Sequence, residues 1–361
     1  MLGQVPLTIT KMNDKWLIYG AYGYTGDLIA REAIRRGLTP ILAGRREEPV
    51  AALSKELGLP FRAFNLRNKE TVDASLSGVS AVLHCAGPFV HTSGPMIEAC
   101  LHAGCHYLDI TGEIGVFESV FQQDSAARDA GVVLLPGVGL DVVPTDCLAA
   151  HLHRQLPDAT HLELALTSDR GTASRGTLST MVEGIPHLGA ERIDGKIVPR
   201  PPAFDAREIE FSFARRWAMA IPWGDISTAF RTTRIPNIRV YMGASPNRIK
   251  RLRQLSPVLP ILGRKPIKSL LKWWIRQGAV GPSAHTRESA RAYFWGAVRN
   301  ADGDTRTAIL ETPEGYKLTA MTAVECVTRV LDGEVKPGAW TPAGAFGSDF
   351  IKTFAGVSAS W

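Results

Sequence analysis

The sequence predicts an α/β protein whose N-terminal part is a doubly wound parallel sheet. Two observations carry this prediction: short apolar strands alternate with amphipathic helices along residues 15–150, and the first strand runs into a glycine-rich turn that opens a helix. Such alternation typically builds a parallel sheet covered by helices on both faces. Right-handed crossovers between successive strands then favour the doubly wound arrangement. With 361 residues, the chain is long enough for a second domain.

The strands and helices of this part are predicted from their hydrophobic patterns. Short runs of apolar residues indicate strands, and apolar residues at helical spacing indicate helices. Gly37, Gly58 and Gly104 end three of these helices. We expect strands at 15–19, 40–43, 61–66, 81–85, 106–110 and 132–135, and helices at 25–36, 49–57, 95–103 and 116–129.

The turn after the first strand has the glycine spacing of a dinucleotide-binding loop. Gly20 permits a tight turn, Gly23 lets the backbone approach a pyrophosphate, and Gly26 lets the helix pack close to the sheet. The helix N-terminus offers free N–H groups and the positive end of its dipole. An ordinary strand-to-helix turn can share this spacing, but a place at the head of a strand–helix series favours the binding site. The predicted cofactor-binding residues of the turn are Gly20, Tyr22, Gly23, Tyr24, Thr25 and Gly26.

The residues after the second and fourth strands extend this site. The second strand ends in Arg45 and Arg46, where an NAD-binding protein would carry an acid for the ribose hydroxyl. A guanidinium suits a 2′-phosphate by its charge and its forked donors, so the sequence favours NADP over NAD, unless both arginines are solvated surface charges. Small residues after the fourth strand leave room for the cofactor, although a plain turn would have the same composition. They are Cys85, Ala86, Gly87 and Pro88.

Candidate catalytic residues follow the carboxyl ends of the later strands, where sites in open α/β sheets lie. We place Glu113 and Asp141 first, since each follows a predicted strand closely and a carboxyl group can manage a proton. A structural role as a helix or turn cap is an equal alternative for each acid. The other polar residues at these strand ends are His91, Tyr107, Asp109 and Asp146.

No metal site is predicted. His102 and His106 are four residues apart, but Gly104 interrupts the helix that would place them on one face. The five cysteines form no CxxC pair, which is typical of reduced thiols in a cytoplasmic protein. Neither a signal peptide nor an apolar membrane span is evident, so we expect a cytoplasmic location. The chain also lacks the Tyr-x-x-x-Lys pair of short-chain dehydrogenases.

The sequence pattern of the second half predicts a domain with a mixed sheet. Residues 162–166 alternate as a strand does, and residues 290–298 and 307–310 flank a turn-rich segment and so predict a hairpin. A helix is predicted from Tyr316 to Leu331, ended by Gly333.

The stretch 248–276 is unusually basic and apolar. No acidic residue occurs between Asp225 and Glu288, and lysines and arginines alternate there with leucines and two tryptophans. This pattern fits a membrane-surface element, a docking surface for an acyl chain on an acidic carrier protein, or a solvated basic face over a core. Nucleic acid is not an expected partner, because no nucleic-acid-binding module accompanies the net charge of +6.

Taken together, these motifs resemble the saccharopine-dehydrogenase-like oxidoreductases, in particular the branch with trans-acting enoyl reductases of lipid and polyketide assembly. The resemblance implies a Rossmann domain at residues 1–145, an inserted α/β domain at 146–315 and a C-terminal segment, 316–361, that returns to the first domain. It rests on the segments 20–26, 43–45, 84–89, 106–113 and 136–146, and more weakly on 174–177 and 338–342.

The leading functional hypothesis is therefore an NADP-dependent oxidoreductase of the saccharopine-dehydrogenase-like type, for which reduction of enoyl groups in lipid or polyketide acyl chains is the favoured reaction. Its substrate would be a small molecule or an acyl chain, free or carrier-bound, with peripheral membrane contact through 248–276 as one alternative and homo-oligomerisation left open. An amino- or imino-acid dehydrogenase, with Arg175 as the carboxylate partner, is a second hypothesis. A lipid-associated protein that binds NADP without turnover is a third.

Overall fold

The computed structural model describes residues 15–169, 174–184, 189–259, 264–278 and 281–361. Its first sheet has seven strands, and every neighbouring pair is parallel. The strands are β1 (Trp16–Tyr19), β2 (Ile41–Gly44), β3 (Phe61–Ala63), β4 (Ala81–His84), β5 (His106–Asp109), β6 (Val133–Leu135) and β15 (Gly338–Ala339). Their order is β3-β2-β1-β4-β5-β6-β15, which confirms the predicted Rossmann-type sheet.

Helices cover both faces of this sheet, so its strands are buried on both sides. Ile18 packs into one hydrophobic core, while its neighbours Leu17 and Tyr19 pack into the other. The helices of this part are α1 (Tyr24–Arg35), α2 (Glu47–Leu57), α3 (Lys69–Leu76), α4 (Phe89–Ala103), α5 (Ile114–Gln122) and α6 (Asp124–Asp129).

Two predicted helices differ from those observed. The helix predicted at 95–103 begins at Phe89, because a distant carboxylate satisfies its first N–H groups, and Pro95 lies inside it. The single helix predicted at 116–129 is interrupted at Gln123, which separates α5 from α6.

The second sheet is mixed and has nine strands. Among the described strand pairs of this sheet, β12–β7 alone is parallel, and the predicted hairpin is present as β13 and β14. The order is β10-β11-β12-β7-β13-β14-β16, with the hairpin β8–β9 attached to β12. The strands are β7 (His161–Ser168), β8 (Ala190–Ile193), β9 (Lys196–Pro199), β10 (Ala206–Glu210), β11 (Arg215–Ala220), β12 (Asn237–Gly243), β13 (Arg291–Arg299), β14 (Thr305–Pro313) and β16 (Ser358–Ala359).

The remaining helices surround this second sheet and connect it to the first. Two short 3₁₀ turns, at Ser256–Val258 and Phe350–Thr353, accompany them. The helices are α7 (Val143–Gln155), α8 (Arg175–Gly184), α9 (Asp225–Thr233), α10 (Pro246–Leu255), α11 (Lys265–Gly278), α12 (Ala284–Ser289), α13 (Gly315–Leu331) and α14 (Pro342–Phe346). None of the described helices is long and apolar enough to cross a membrane.

Helix α7 joins the two sheets. It follows β6 of the first sheet and packs on β13 of the second, where a Cβ atom at Gly296 would lie 2.7 Å from a methyl carbon of Leu152. The predicted domain boundary after residue 145 falls inside this helix, so the two domains share it.

The C-terminal segment returns to the first sheet, as expected, but not along its whole length. Helix α13 packs on α1, and β15 pairs with β6. The last strand differs from the prediction, because β16 pairs with β14 and so adds an edge to the second sheet instead.

The histidines and cysteines that invite a metal hypothesis have structural partners. His106 accepts a hydrogen bond from the backbone N–H of Val133 at 3.0 Å, and His102 lies 3.4 Å from Asp73. All five cysteines are free thiols. Within the part of the chain that the structure describes, no group of three or more potential ligands is arranged to hold a metal ion.

Candidate functional site

The glycine turn fits tightly between the ends of β1, β2 and β4. The N–H groups of Gly20 and Ala21 both donate to the carbonyl of Ala43, at 2.8 and 3.0 Å. Gly20 has a φ of +88°, and a Cβ atom there would lie 2.9 Å from the Cβ of Ala86. A Cβ atom at Gly26 would overlap the carbonyl oxygen of Gly20. The turn therefore requires glycine at both positions.

The start of α1 fits a pyrophosphate. Gly23 occupies the N-cap position in an extended conformation, and no side chain caps this helix terminus. The first-turn acid, Asp27, is engaged by Arg31 at 3.0 Å. Unsatisfied N–H groups and the helix dipole attract an anion at such a terminus. Tyr24 and Thr25 supply N–H groups in this first turn.

The arginines after β2 remain available for a phosphate. Arg45 and Arg46 are both exposed, and neither takes part in an ion pair within the described ranges. The Arg46 guanidinium lies over the ring of Tyr22, 5.4 Å from its centroid. That ring packs so closely on Gly44 that a Cβ atom there would overlap it. The Tyr22 side chain thus connects the glycine turn to Arg46.

Glu113, in the loop after β5, binds the start of α4 directly after the segment 85–88. Its two carboxylate oxygens accept hydrogen bonds from the N–H groups of Phe89 and Val90, at 2.8 and 2.9 Å. Burial raises the pKa of Glu113, while these two N–H donors act to lower it. The geometry gives this carboxylate a structural contact at the start of α4. Its predicted catalytic role stays a prediction.

Asp109 fixes the end of β5 in a similar way. The residue is fully buried, and its Oδ1 accepts hydrogen bonds from the N–H groups of Thr111 and Gly137, at 3.0 and 2.9 Å. The hydroxyl of Tyr107 donates to Oδ2 at 2.7 Å. Burial raises the pKa of Asp109 to about 6. These bonds hold β5 against the loop after β6, so Asp109 is part of the frame of the site.

Asp141 lies in the loop after β6, beside the end of β5. A Cβ atom at Gly112 would be 2.8 Å from Oδ2 of Asp141. The indole N–H of Trp223, from the second-sheet part of the chain, donates to the backbone carbonyl of Asp141 at 2.8 Å. The residue as a whole is only half-buried, but burial of its carboxyl group raises the pKa to about 6. Asp141 is therefore the predicted catalytic residue whose carboxyl group is not committed to a backbone cap.

Two further aspartates lie behind Asp141. Asp146 is fully buried and accepts hydrogen bonds from the hydroxyl of Thr232 at 2.6 Å and the N–H of Ala343 at 2.7 Å. Asp225, at the start of α9, is also fully buried, and neither of its carboxylate oxygens has a hydrogen-bond partner among the described residues. The nearby Thr145 hydroxyl donates instead to a backbone carbonyl, at 3.1 Å. Burial, and then the charges of Asp146 and Asp141, raise the pKa of Asp225 well above its ordinary value.

Helix α8 brings the second-sheet part of the chain over the cofactor segment. The hydroxyl of Thr180 would be 3.4 Å from a Cβ atom on Gly87. At the other end of α8, the Tyr316 hydroxyl lies 2.8 Å from the hydroxyl of Thr177, and the Tyr316 ring packs edge-on against Tyr24 of the glycine turn at 4.9 Å. These contacts place α8 next to the glycine turn and the segment 85–88. We refer to the region bordered by the glycine turn, the segment 85–88, the loop at Asp141 and α8 as the cleft.

The structure brings most of the predicted residues to this one edge. The glycine turn, the segment 85–88, Glu113 and Asp141 surround it, while His91 is displaced outward and lies 3.3 Å from Glu183. Sequence reasoning missed the residues that the second-sheet part contributes. No local motif marks them, because each reaches the site only through the packing of the two sheets. They are Thr180, Trp223, Asp225 and Tyr316.

Known proteins resemble the chain at two levels. The saccharopine dehydrogenase NADP binding domain family matches residues 16–135. A saccharopine dehydrogenase-like oxidoreductase of Arabidopsis thaliana is 24% identical over 424 residues, covering 93% of each chain. Trans-acting enoyl reductases of Mycobacterium ulcerans and Mycobacterium tuberculosis are 27% and 29% identical, over 47% and 38% of this chain. These matches span only 44% and 35% of the enoyl reductases' own lengths.

The fold has a solved counterpart. The structure of saccharopine dehydrogenase (L-Glu forming) from Saccharomyces cerevisiae superposes with a TM-score of 0.65 at 12% identity, covering 97% of this chain and 100% of that one. The parallel sheet, the glycine turn and a helix terminus without a side-chain cap are the features of a dinucleotide-binding domain. Residues 16–135 match the saccharopine dehydrogenase NADP-binding domain family, and the chain is similar over most of its length to a saccharopine dehydrogenase-like oxidoreductase, so the predicted resemblance to that class of oxidoreductases is confirmed.

The glycine turn yields a direct test of cofactor binding. We expect Gly26→Ala to raise the Kd for NADPH at least about tenfold, or about 1.4 kcal/mol, because its methyl group would displace the backbone of Gly20. The measurement is a titration of NADPH fluorescence. Gly94→Ala is the matched control, since Gly94 also lies inside a helix but has open space at its Cβ position. Equal Kd values for the two variants would contradict this account of the turn.

Proposed function

We propose that the protein is an NADP-dependent reductase of carbon–carbon double bonds in acyl chains, an enoyl reductase. The observation that carries this proposal is the half-buried Asp141, whose carboxyl group lies beside Gly112 with a pKa raised to about 6. A group with this pKa holds a proton in a useful fraction of molecules near neutral pH. The trans-acting enoyl reductases among the relatives support the same substrate class.

The proposed reaction needs one hydride and one proton. NADPH supplies the hydride when bound, and the β-carbon of the enoyl substrate accepts it. The electron pair of the double bond then moves onto the α-carbon and the carbonyl oxygen, and Asp141 protonates the α-carbon. One hydride and one proton together account for the reduced substrate, and the Asp141 carboxylate that remains would need to be reprotonated before the next turnover. Burial and the nearby charges of Asp146 and Asp141 raise the pKa of Asp225, the neighbouring buried acid.

We infer that the cofactor is NADP rather than NAD. Arg45 and Arg46 are exposed, free of ion pairs within the described ranges, and adjacent to Tyr22 of the glycine turn. Two such guanidinium groups can bind a 2′-phosphate with charge-assisted hydrogen bonds.

Cofactor choice provides the second test. We expect Arg45→Ala combined with Arg46→Ala to weaken NADPH binding by about 10- to 100-fold, as loss of hydrogen bonds to a charged group does. The Kd for NADH should change little, because NADH has no 2′-phosphate. Arg67→Ala serves as the control, since this arginine is exposed on the same sheet unit. An equal increase in the Kd values for NADPH and NADH would show that the arginines do not bind the 2′-phosphate.

The role of Asp141 predicts a pH dependence. Reduction requires the protonated acid, so kcat should fall as the pH rises above about 6, the raised pKa of Asp141. Asp141→Asn should lower kcat by about 10²- to 10⁴-fold and remove this pH limb, while the Kd for NADPH stays unchanged. Asp129→Asn, at an exposed site on α6, is the matched control. A pH profile that persists in Asp141→Asn would assign the proton to another group.

The substrate class is tested by following the absorbance of NADPH with enoyl thioesters of short and long acyl chains. Oxidation that depends on the enoyl double bond, and not on the saturated thioester, is the expected result. Oxidation with α-imino acids alone would replace the proposal by an amino-acid dehydrogenase. Tight NADPH binding with no turnover on either panel would indicate a binding protein without activity.

A further inference from the structure

We propose that helix α11 docks the protein on the surface of an anionic lipid bilayer. This inference concerns a surface outside the cofactor cleft and does not depend on the proposed reduction. It narrows the basic apolar stretch of the sequence to one face of one helix.

The two faces of α11 differ in what they contact. Leu271 and Ile275 are half-buried on the face that packs on α8. Leu270, Trp273 and Trp274 are 63%, 55% and 74% exposed. These three side chains are spaced i, i+3 and i+4, so they lie together on the opposite face. An apolar surface with two indole rings is therefore open to the surroundings.

The orientation of this face is fixed by a contact on the inner side. Lys268 donates to the carboxylate and to the backbone carbonyl of Glu183 on α8, at 2.9 Å each, and its side chain is only 17% exposed. This cation is therefore used inside the protein. Because α8 itself lies over Gly87, the inner face of α11 is turned toward the cleft and its tryptophans away from it.

The sequence that flanks this apolar face is basic. The chain carries no acidic residue between Asp225 and Glu288. Arg248, Lys250 and Arg251 on the preceding helix α10 are exposed, as is Arg264 immediately before α11. In contrast, α10 buries Ile249, and the large apolar side chain that it exposes is that of Leu255, at 52%. The stretch thus combines one apolar helix face with a broad excess of positive charge.

An anionic bilayer is the partner that matches both properties. Tryptophan rings favour the interface between headgroups and acyl chains, and lysines and arginines bind anionic headgroups. An acidic carrier protein would satisfy the cations but would leave the two indole rings in water. A second copy of this chain would bury the indoles but would bring two strongly basic surfaces together, which is unfavourable.

The test is flotation of the full chain with vesicles of phosphatidylcholine alone or mixed with phosphatidylserine, at low and high salt. We expect binding to the mixed vesicles at low salt, with a shift of tryptophan emission to shorter wavelength, and loss of binding at high salt. Trp273→Ser combined with Trp274→Ser should reduce the bound fraction at least about tenfold. Trp217→Ser, at a tryptophan that is 40% exposed on β11, should bind as the unaltered protein does.

NADPH binding by the double variant shows that it is folded, since α11 lies outside the cofactor-binding residues. No flotation with the mixed vesicles at low salt would overturn the proposal, as would equal flotation of the double variant. A change of molecular mass by light scattering in the double variant, without vesicle binding by the unaltered chain, would assign the face to contact between copies. Binding of an acyl carrier protein but not of vesicles would assign it to that partner. Either result contradicts a lipid surface.

Discussion

The carboxylate of Glu113 maintains the sheet edge on which the cofactor cleft depends. It accepts hydrogen bonds from the N–H groups of Phe89 and Val90, the first two residues of α4. The start of α4, directly after the segment 85–88, is therefore tied to the loop after β5. A carboxylate at a helix N-terminus also gains from the helix dipole. Asp109, at the end of β5, binds two backbone N–H groups and a tyrosine hydroxyl in a similar way. Half-buried Glu113 and buried Asp109 thus hold the frame, and a third acid, Asp141, has a carboxyl group that caps no backbone N–H group among the described residues.

The cleft belongs to both sheets. The first sheet supplies the glycine turn and the arginine pair, while the second-sheet part supplies α8 and the segment from Trp223 to Asp225. Helix α7 runs from one sheet onto the other, so the relative position of the two parts is set by a rigid element rather than by a loop.

Much of the first sheet could be predicted because its signals are local. Strands, helices and the glycine turn follow from residues close together in the chain, and they were found nearly where expected. The early start of α4 could not be found this way, since its cap comes from Glu113, in the loop after β5. Asp225 has no motif around it, and its importance arises only from burial beside Asp141 and Asp146. The strand β15 has two residues, too few for any periodic pattern.

That short strand has a consequence for synthesis on the ribosome. Gly338 and Ala339 pair with Val133 and Leu134 of β6, and the whole second sheet except its last strand lies between them in the chain. Until Ala339 has emerged, β6 is an open edge with unpaired N–H and carbonyl groups. A nascent chain that has already formed the dinucleotide-binding unit would therefore carry an unpaired strand edge, prone to aggregation, while residues 136–339 are being made. A chaperone that covers exposed strands would be needed until late in the synthesis of this chain.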